Sequence, residues 1–354
     1  MTSEFAAENA DFYASLPQDP FGGPRAVSRS VVWLPQSLGE LFQVLMGMPV
    51  GWIWRGQRSF SWHLETRLGR DFADLPPVSD DPAVSYDYVG LENRVIGFFK
   101  ERARRSLRPP PDDLDLLSWL AVMQHYGAPT RLLDWTTSPF VALWFAYAST
   151  EDEPAALWGL NAYLCRREVN GALFPGGWDH LGIFGHHTTD AEGNTSTRTP
   201  ALEVRQRDRE NEFLRWAIKT HCRWPLPVIP FDTDARMTAQ QTVLTCVGNL
   251  QEPVDQALLR FDEWRRDQPS EDPPGGYRIG TDSTIWPLKE PADLLLKFQL
   301  PREWRPSALQ ALSSMGIDAA TLFPGLDGVG RQASMYLNLG QGSLREVITD
   351  TFGF

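Results

Sequence analysis

The sequence predicts an α+β fold, in which a β-sheet of mixed strand direction is flanked by helices, and three observations support this class. Segments with the hydrophobic period of an amphipathic helix recur along the chain. Short β-rich segments separated by Pro and Gly lie mainly in its second half. The 354 residues are 42% hydrophobic, which is enough to bury a large core. We therefore expect one large domain with decorations.

The first elements follow a polar arm. Residues 1–30 are polar and punctuated by Pro and Gly, which is typical of a loosely packed segment. Ser37, followed three residues later by Glu40, predicts a capped helix. The apolar run that begins at Gly51 then predicts a short buried strand, and Arg55 lies at its end.

Three helices are predicted in the next part of the chain. Residues 87–105 form a charged amphipathic pattern that stops before three prolines. Residues 112–125 form a second helix, whose end is marked by Gly127. A third helix begins at Pro139 and is too apolar to be exposed on any side, so it is expected to be buried.

The remaining strands are predicted to complete the sheet. They are expected at residues 157–164, 228–229, 243–247 and 294–300. A polar insertion near 186–212 is expected at the surface, and a helix over 307–315 precedes a turn-rich segment, LFPGLDGVGRQ. We assign residues 31–345 to one domain and 346–354 to a C-terminal tail.

Composition excludes several classes of protein. The net charge of -12 argues against a broad, sequence-independent DNA-binding face, because phosphate neutralisation needs clustered Lys and Arg. Three widely spaced cysteines form no disulfide framework. No apolar run approaches the ~20 residues of a membrane span, and the N-terminus has no secretion signal. These features predict a cytoplasmic protein with no membrane partner.

Metal and common nucleotide-fold motifs are also missing from the sequence. His186, His187 and Asp190 lie on a polar stretch and lack the ligand spacing of a metal site on rigid elements. His180 and His221 have no nearby partners at zinc-like intervals. There is no GxGxxG after a strand, no GxxxxGK[ST] and no GxSxG. We expect no bound metal.

Arg55 is the first candidate site residue. It stands between a hydrophobic strand and Gly56 and is followed by Gln57, and a buried guanidinium needs a partner. One interpretation is a fork for the phosphate or carboxylate of a ligand. The alternative is a structural ion pair with Asp134 or another acid.

The stretch WLAVMQHYGAPTRLLDWTTSPFVALWFA places polar chemistry between two apolar segments. His125 ends a helix beside Tyr126, and Gly127 lets the chain turn so that Arg131 and Asp134 can fold back towards it. Such a trio suits acid/base work or holding a pyrophosphate. Alternatively, His125 caps helix carbonyls, and Asp134 caps the next helix or pairs with Arg131.

Two further groups of polar residues complete the candidates. Thr136, Thr137 and Ser138 precede the proline at which the buried helix begins, so one of them caps that helix, and all three suit a ledge for a ribose or an amide. Gln240 and Gln241 begin a β-rich run, so one amide is expected on each face of the sheet, one bland and one able to orient a substrate hydroxyl.

These motifs together resemble the FRG domain, a bacterial and phage-associated domain named for its Phe-Arg-Gly motif. The resemblance rests on Trp54-Arg55-Gly56-Gln57, on MQHYGAPTRLLDWTTSPFVALWFA, on RMTAQQTVLT and on MGIDAATLFPGLDGV, and it spans roughly residues 50 to 335. Trp54 stands where the family has Phe, and Thr242 stands where Gly is expected. The resemblance implies a role in bacterial conflict or phage defence.

The order of the motifs also resembles, more weakly, the Arg, Ser-Thr-Ser and Glu pattern of ADP-ribosyltransferases. That resemblance implies a mixed, split sheet that binds NAD, with Arg55 on the phosphates. It implies that Gln57, Tyr126, Gln241 and residues 136–138 contact the cofactor. The third catalytic position falls on Gln240 or Gln241, with Gln240 placed near the ribose. A neutral amide there cannot stabilise an oxocarbenium-like transition state as a carboxylate does.

The functional hypothesis follows from both resemblances. An NAD-binding effector would transfer ADP-ribose to a protein or nucleic acid, or hydrolyse NAD, with catalytic roles for Arg55, His125, Arg131, Asp134 and Gln240. An antitoxin or a phage component is the expected partner. Two alternatives remain: a non-catalytic module that senses a phage component, and a metal-independent ribonuclease built on His125 and Arg131.

Overall fold

The computed structural model describes most of the predicted domain. It covers residues 31–48, 50–76, 86–107, 109–149, 153–166, 188–189, 195–196, 211, 214–215, 218, 225–228, 234–267 and 294–338. The predicted arm (1–30), nearly all of the predicted insertion (186–212) and the predicted tail (346–354) lie outside these residues, so their assignments stay predictions.

The core is one mixed sheet of seven strands. They are β1 (Val31–Trp33), β2 (Trp52–Gln57), β3 (Leu132–Thr136), β4 (Ala155–Asn161), β7 (Leu226–Val228), β8 (Thr242–Cys246) and β9 (Leu295–Leu300), and the two-residue strands β5 (Thr188–Thr189) and β6 (Thr195–Ser196) pair separately. The spatial order is β1-β9-β4-β2-β3-β8-β7. The β1–β9 pair is parallel and the other pairs are antiparallel. The predicted α+β class and mixed sheet are confirmed.

Strand pairing is shortest at the centre of the sheet. In the described strands, β2 and β3 share a single register pair, Trp54 with Thr136. By contrast, β2 pairs with β4 along six residues and β3 pairs with β8 along five. The predicted split would require two separate sheets, whereas these seven strands form one continuous sheet. Register pairing between β2 and β3 is limited to this one pair, which we call the β2–β3 junction.

Helices cover both faces of the sheet. They are α1 (Leu38–Gly47), α2 (Arg67–Ala73), α3 (Tyr88–Ala103), α4 (Leu116–His125), α5 (Pro139–Tyr147), α6 (Ala235–Ala239), α7 (Val254–Asp267), α8 (Arg305–Ser314), α9 (Ala319–Leu322) and α10 (Leu326–Asn338). One buried cluster joins a sheet face to α3, α4 and α7, and a second joins the opposite face to α1, α5, α8 and α9. No described helix has the length and apolar character needed to traverse a bilayer.

Side-chain caps explain where the helices begin. The Oγ of Ser37 accepts from the Glu40 N–H, and the Oγ of Ser138 accepts from the amide of the third residue of α5, as the sequence predicts. Asp115 caps α4 through the Ser118 N–H, so α4 starts at Leu116 instead of at residue 112. The buried character predicted for α5 is confirmed.

Strand alternation separates the two cores at β2. Trp52 and Trp54 face the core that contains α5, whereas Ile53 faces the core that contains α4. Arg55 pairs with Trp158, which belongs to the α4 core, so the arginine starts from that face of the sheet. The chain thus brings a charged side chain into the middle of a sheet that is covered on both sides.

Two predictions of local structure are wrong. The turn-rich segment after residue 322 contains α10, because Gly328 lets the helix pack against the carbonyls of Ala319 and Phe323. Gln240 and Gln241 do not lie in β8 with one amide on each face. Gln240 is the C-cap of α6, and Gln241 turns the chain into β8 with a left-handed φ of 49°.

Candidate functional site

The Trp54-Arg55-Gly56-Gln57 motif assigns a different task to each residue. Trp54 is buried in the α5 core. Gly56 lies against the backbone of α5, where a β-carbon would overlap the carbonyl of Ala142. Gln57 is buried and donates to the His63 carbonyl at 3.0 Å, and its Oε1 accepts from the indole of Trp158 at 2.7 Å. Because both ends of Gln57 are engaged by protein groups, the structure does not bring it to a ligand site.

Arg55 is the residue of this motif with unused donors. Its Nη1 donates to the Asp134 backbone carbonyl at 2.6 Å, whereas its Nε is buried and has no hydrogen-bond partner among the described residues. No carboxylate of the described chain lies within ion-pair distance of its guanidinium. Burial lowers the pKa of Arg55, the Asp134 carboxylate acts in the opposite direction, and Arg70 lowers it further.

The β2–β3 junction explains the position of this contact. Thr137 N–H donates to the Gln241 carbonyl on the β8 side of β3. Because backbone groups of successive residues alternate between the two sides of a strand, the Asp134 carbonyl faces β2. The Arg55 side chain donates to this carbonyl at a point where β2 and β3 no longer form backbone hydrogen bonds with each other.

The Asp134 side chain is exposed and held from α4. Its Oδ1 accepts from Gln124 Nε2 at 2.7 Å, and Gln124 Oε1 accepts in turn from the Thr130 hydroxyl. Asp134 neither caps α5 nor pairs with Arg131, so both alternative interpretations of this residue are wrong. Sequence reasoning missed Gln124, whose position beside His125 was its only signal.

His125 is the last residue of α4 and lies against a carboxylate from another element. Its Nδ1 is 2.6 Å from Oδ2 of Asp234, and Oδ1 of Asp234 caps α6 by accepting from the Met237 N–H. The Tyr126 ring stands edge-on to the imidazole at 4.8 Å and is 65% exposed. Sequence analysis missed Asp234, because its local pattern indicates nothing more than a helix cap.

Arg131 does not join these residues. Its Nε donates to Oε1 of Glu92 at 2.7 Å, its Nη2 pairs with the other carboxylate oxygen, and its Nη1 donates to the carbonyls of Val247 and Gly248. Both Arg131 and Glu92 are 2% exposed. Arg131 thus ties α3 to the segment after β8 and has no contact with Arg55, His125 or Asp134 among its described hydrogen bonds, so its expected catalytic role stays a prediction.

Of the three hydroxyl residues Thr136, Thr137 and Ser138, two accept hydrogen bonds from backbone N–H groups. Thr136 is buried and its hydroxyl accepts from the Ser138 N–H, while Ser138 caps α5. Thr137 is exposed and donates to Oε1 of Gln241 at 3.0 Å, which leaves the amide nitrogen of Gln241 as a donor. Gln240 donates to the Leu322 carbonyl at 3.0 Å and is thereby engaged by α9.

The structure thus brings together three neighbouring groups. We name Arg55, Gln124 and Asp134 the Arg55 cluster, His125 with Asp234 the His125 pair, and Thr137 with Gln241 the amide ledge. Gln124 and His125 are adjacent on α4, and Thr137 closely follows Asp134 in the chain. A guanidinium with unused donors suits an anion. An imidazole fixed by a carboxylate suits proton transfer. In the described residues, no group of three or more His, Cys, Asp or Glu could hold a metal ion.

Comparison with known proteins places part of these residues in a family. Residues 51–155 match the family model of the FRG domain, so the chain carries an FRG domain. The match begins just before β2 and ends at the start of β4. It includes Arg55, His125, Asp134 and Thr137, whereas Asp234, Gln240 and Gln241 lie outside it. No curated protein and no solved structure matches the chain. The weaker resemblance to ADP-ribosyltransferases has no support in these comparisons.

Proposed function

We propose that this chain, whose residues 51–155 form an FRG domain, binds the pyrophosphate of a nucleotide such as NAD at the Arg55 cluster. The proposal rests on one observation: among the described residues, the partly buried Arg55 donates to a single carbonyl, while its buried Nε has no hydrogen-bond partner. A buried donor without an acceptor costs roughly 1–3 kcal/mol. A ligand oxygen that accepted from this Nε would remove that cost.

The chemistry of the donors suits phosphate oxygens. A guanidinium carries five N–H donors in a planar fork that matches two oxygens at once. Burial and the charge of Arg70 both disfavour the charged form of Arg55 and lower its pKa. A bound anion beside Arg55 would stabilise the charged form and raise that pKa. The amide ledge adds a donor and a hydroxyl that fit a ribose or a carboxamide.

We further propose that the bound dinucleotide is the substrate for ADP-ribose transfer to a protein or nucleic acid, or to water. NAD supplies nicotinamide as the leaving group. The exposed carboxylate of Asp134, oriented by Gln124, would stabilise the positive charge that develops on the ribose, because Gln240 is a neutral amide that donates to the Leu322 carbonyl. His125, held through Nδ1 by Asp234, would accept the proton of the attacking nucleophile at Nε2.

The test is NAD binding and nicotinamide release by the wild type, Arg55→Ala and Arg94→Ala. Arg94 is an exposed arginine of α3 and serves as the charge-matched control. We expect Arg55→Ala to lose binding by about a hundredfold, the value of a charged hydrogen-bonded contact, while Arg94→Ala behaves as the wild type. Equal binding by all three proteins would refute the proposal, as would complete unfolding of Arg55→Lys, which keeps the charge.

A second candidate function is a non-catalytic sensor of a nucleotide-bearing or phage-derived ligand. It is favoured by the neutral amides Gln240 and Gln241, which are both tied to protein groups and provide no carboxylate at the third catalytic position. Arg55-dependent NAD binding without nicotinamide release, in the presence of cell lysate, would select this candidate. The ribonuclease alternative loses one of its two residues, since Arg131 is buried in its ion pair.

A further inference from the structure

A separate cavity of about 230 Å³ lies beneath α2, away from the Arg55 cluster. Its walls come from α2 and the residues before it, from the start of α3, and from residues 247–254, which join β8 to α7. Gly69 brings α2 close to the third wall, because a β-carbon there would lie 3.1 Å from the Leu250 carbonyl oxygen. The backbone of α2 therefore packs closely against residues 247–254 at Gly69, and the cavity lies beside this contact.

The lining combines flat apolar surfaces with hydrogen-bonding groups. The rings of Phe72 and Tyr88 lie on it with their centroids 5.0 Å apart. Asn249 also lines it, and because its Oδ1 already accepts from the Gln251 N–H, its amide nitrogen remains a donor. The Glu65 carboxylate and the Leu250 backbone provide acceptors. Aromatic walls with both donors and acceptors are suited to a heteroaromatic ring that carries an amino group.

The volume limits what the cavity can hold. Sites for drug-sized molecules enclose ~300–1,000 Å³, so a cavity of about 230 Å³ is too small for a whole dinucleotide. It is large enough for one ring system of such a molecule. The remainder of the ligand would have to lie outside it.

Arg70 connects the cavity with the Arg55 cluster. It lines the cavity, and its Nη1 donates to the Glu65 carbonyl at 2.8 Å, which fixes part of its guanidinium. Its positive charge also lowers the pKa of Arg55. Two cations in each other's field repel one another, and an anion between them removes the repulsion. A phosphate at this position would have one arginine on the cavity side and one on the β2 side.

We infer that this cavity takes the adenine ring of the ligand whose phosphates lie between Arg70 and Arg55. The inference rests on the proposed function and adds the part of the ligand that is recognised. The ring packs against Phe72 and Tyr88, its amino group donates to Glu65 or to the Leu250 carbonyl, and a ring nitrogen accepts from Asn249. Nucleotides whose bases lack an exocyclic amine bind more weakly.

The test fills the cavity without removing a core side chain. Ala73 is exposed and lines the cavity, so Ala73→Trp places a ring into it from the surface of α2. Asp71→Trp is the matched control, because Asp71 is exposed on the same helix and does not line the cavity. Calorimetry with ADP-ribose, ribose 5-phosphate and pyrophosphate measures binding, and amide chemical shifts with adenosine alone measure occupancy of the cavity.

We expect Ala73→Trp to weaken ADP-ribose binding by about tenfold or more, the value of one well-packed ring, and to leave pyrophosphate binding unchanged. Asp71→Trp should match the wild type with all ligands. Adenosine should shift the amides of Gly69, Ala73 and Leu250 in the wild type, and Ala73→Trp should abolish those shifts. Normal ADP-ribose binding by Ala73→Trp, or no adenosine shifts in the wild type, overturns the inference.

These readouts separate two failures. If Arg55→Ala abolishes ADP-ribose binding while Ala73→Trp does not affect it, the proposed function stands and the cavity assignment is wrong. If no phosphorylated ligand binds the wild type, the proposed function is wrong and this inference falls with it, whereas adenosine shifts at the cavity would still identify a nucleoside site.

Discussion

Replacing Arg131 by Met should destabilise the protein severely without acting on the candidate site. The change removes a guanidinium that is 2% exposed and pairs with a carboxylate of Glu92 that is equally buried. An uncompensated buried carboxylate costs about 3–5 kcal/mol. The carbonyls of Val247 and Gly248 lose their donor as well. We therefore expect the free energy of unfolding to fall by at least about 4 kcal/mol.

Urea denaturation of three variants measures this effect. With a slope of about 3 kcal/mol per molar urea, Arg131→Met shifts the midpoint down by more than about 1 M. Glu92→Leu combined with Arg131→Met removes both charges, so the double variant should recover about 2–3 kcal/mol relative to Arg131→Met alone. Ligand binding by the folded fraction of Arg131→Met should equal that of the wild type.

Two results would refute this reasoning. A midpoint for Arg131→Met within about 0.2 M of the wild type would mean that the ion pair is not buried as described. A folded Arg131→Met protein that has lost ligand binding would return Arg131 to the functional site, where the sequence placed it. Additive losses in the double variant would show that Glu92 and Arg131 are not coupled.

Three other substitutions test the fold around the site. Gly56→Ala should cost about 3 kcal/mol or more in urea melts, because its methyl group overlaps the Ala142 carbonyl; a melt like that of the wild type would contradict the packing of α5 on β2. Gln241→Gly should be more stable than Gln241→Ala by about 1 kcal/mol, because the φ of 49° strains any residue with a β-carbon; equal midpoints would argue against that turn. Burial raises the pKa of Tyr147, whose hydroxyl donates to the Pro301 carbonyl, so the folded state keeps a proton that the unfolded state loses above its pKa of 10.0. Stability should therefore fall by up to about 1.4 kcal/mol per pH unit above pH 10 in the wild type and more slowly in Tyr147→Phe; parallel alkaline profiles would exclude this cause.

The elements that carry Arg55, His125 and Ser138 were predicted from the sequence, but the side chains that contact Asp134 and His125 were not. The Arg55 strand, the α4 end at His125 and the cap at Ser138 depend on signals within a few residues, such as hydrophobic alternation, a glycine turn and a hydroxyl before proline. Asp234 and Gln124 were missed because a polar side chain carries no local sign of which distant group it will meet.

The contrast between two arginines shows where local information ends. Arg55 and Arg131 both stand beside buried strand residues, and the sequence analysis predicted a functional role for both. Tertiary contacts distinguish them. Arg131 donates to a carboxylate from α3 and to two backbone carbonyls, whereas Arg55 donates to one backbone carbonyl of the described residues. The number of acceptors around a guanidinium depends on strand register and helix packing, which the residues next to it in the chain do not encode.

The sequence by itself determined the α+β class, the starts of α1, α3 and α5, the strands β2, β4, β8 and β9, and the FRG motifs, because caps and hydrophobic periods act within one or two turns of chain. The tertiary structure alone decided that the sheet stays joined through one pair at Trp54 and Thr136. It also decided that Gln241 turns instead of extending, and that α2 encloses a cavity beside Arg70. These features arise where segments far apart in the chain meet, and their free energy depends on contacts that no single segment contains.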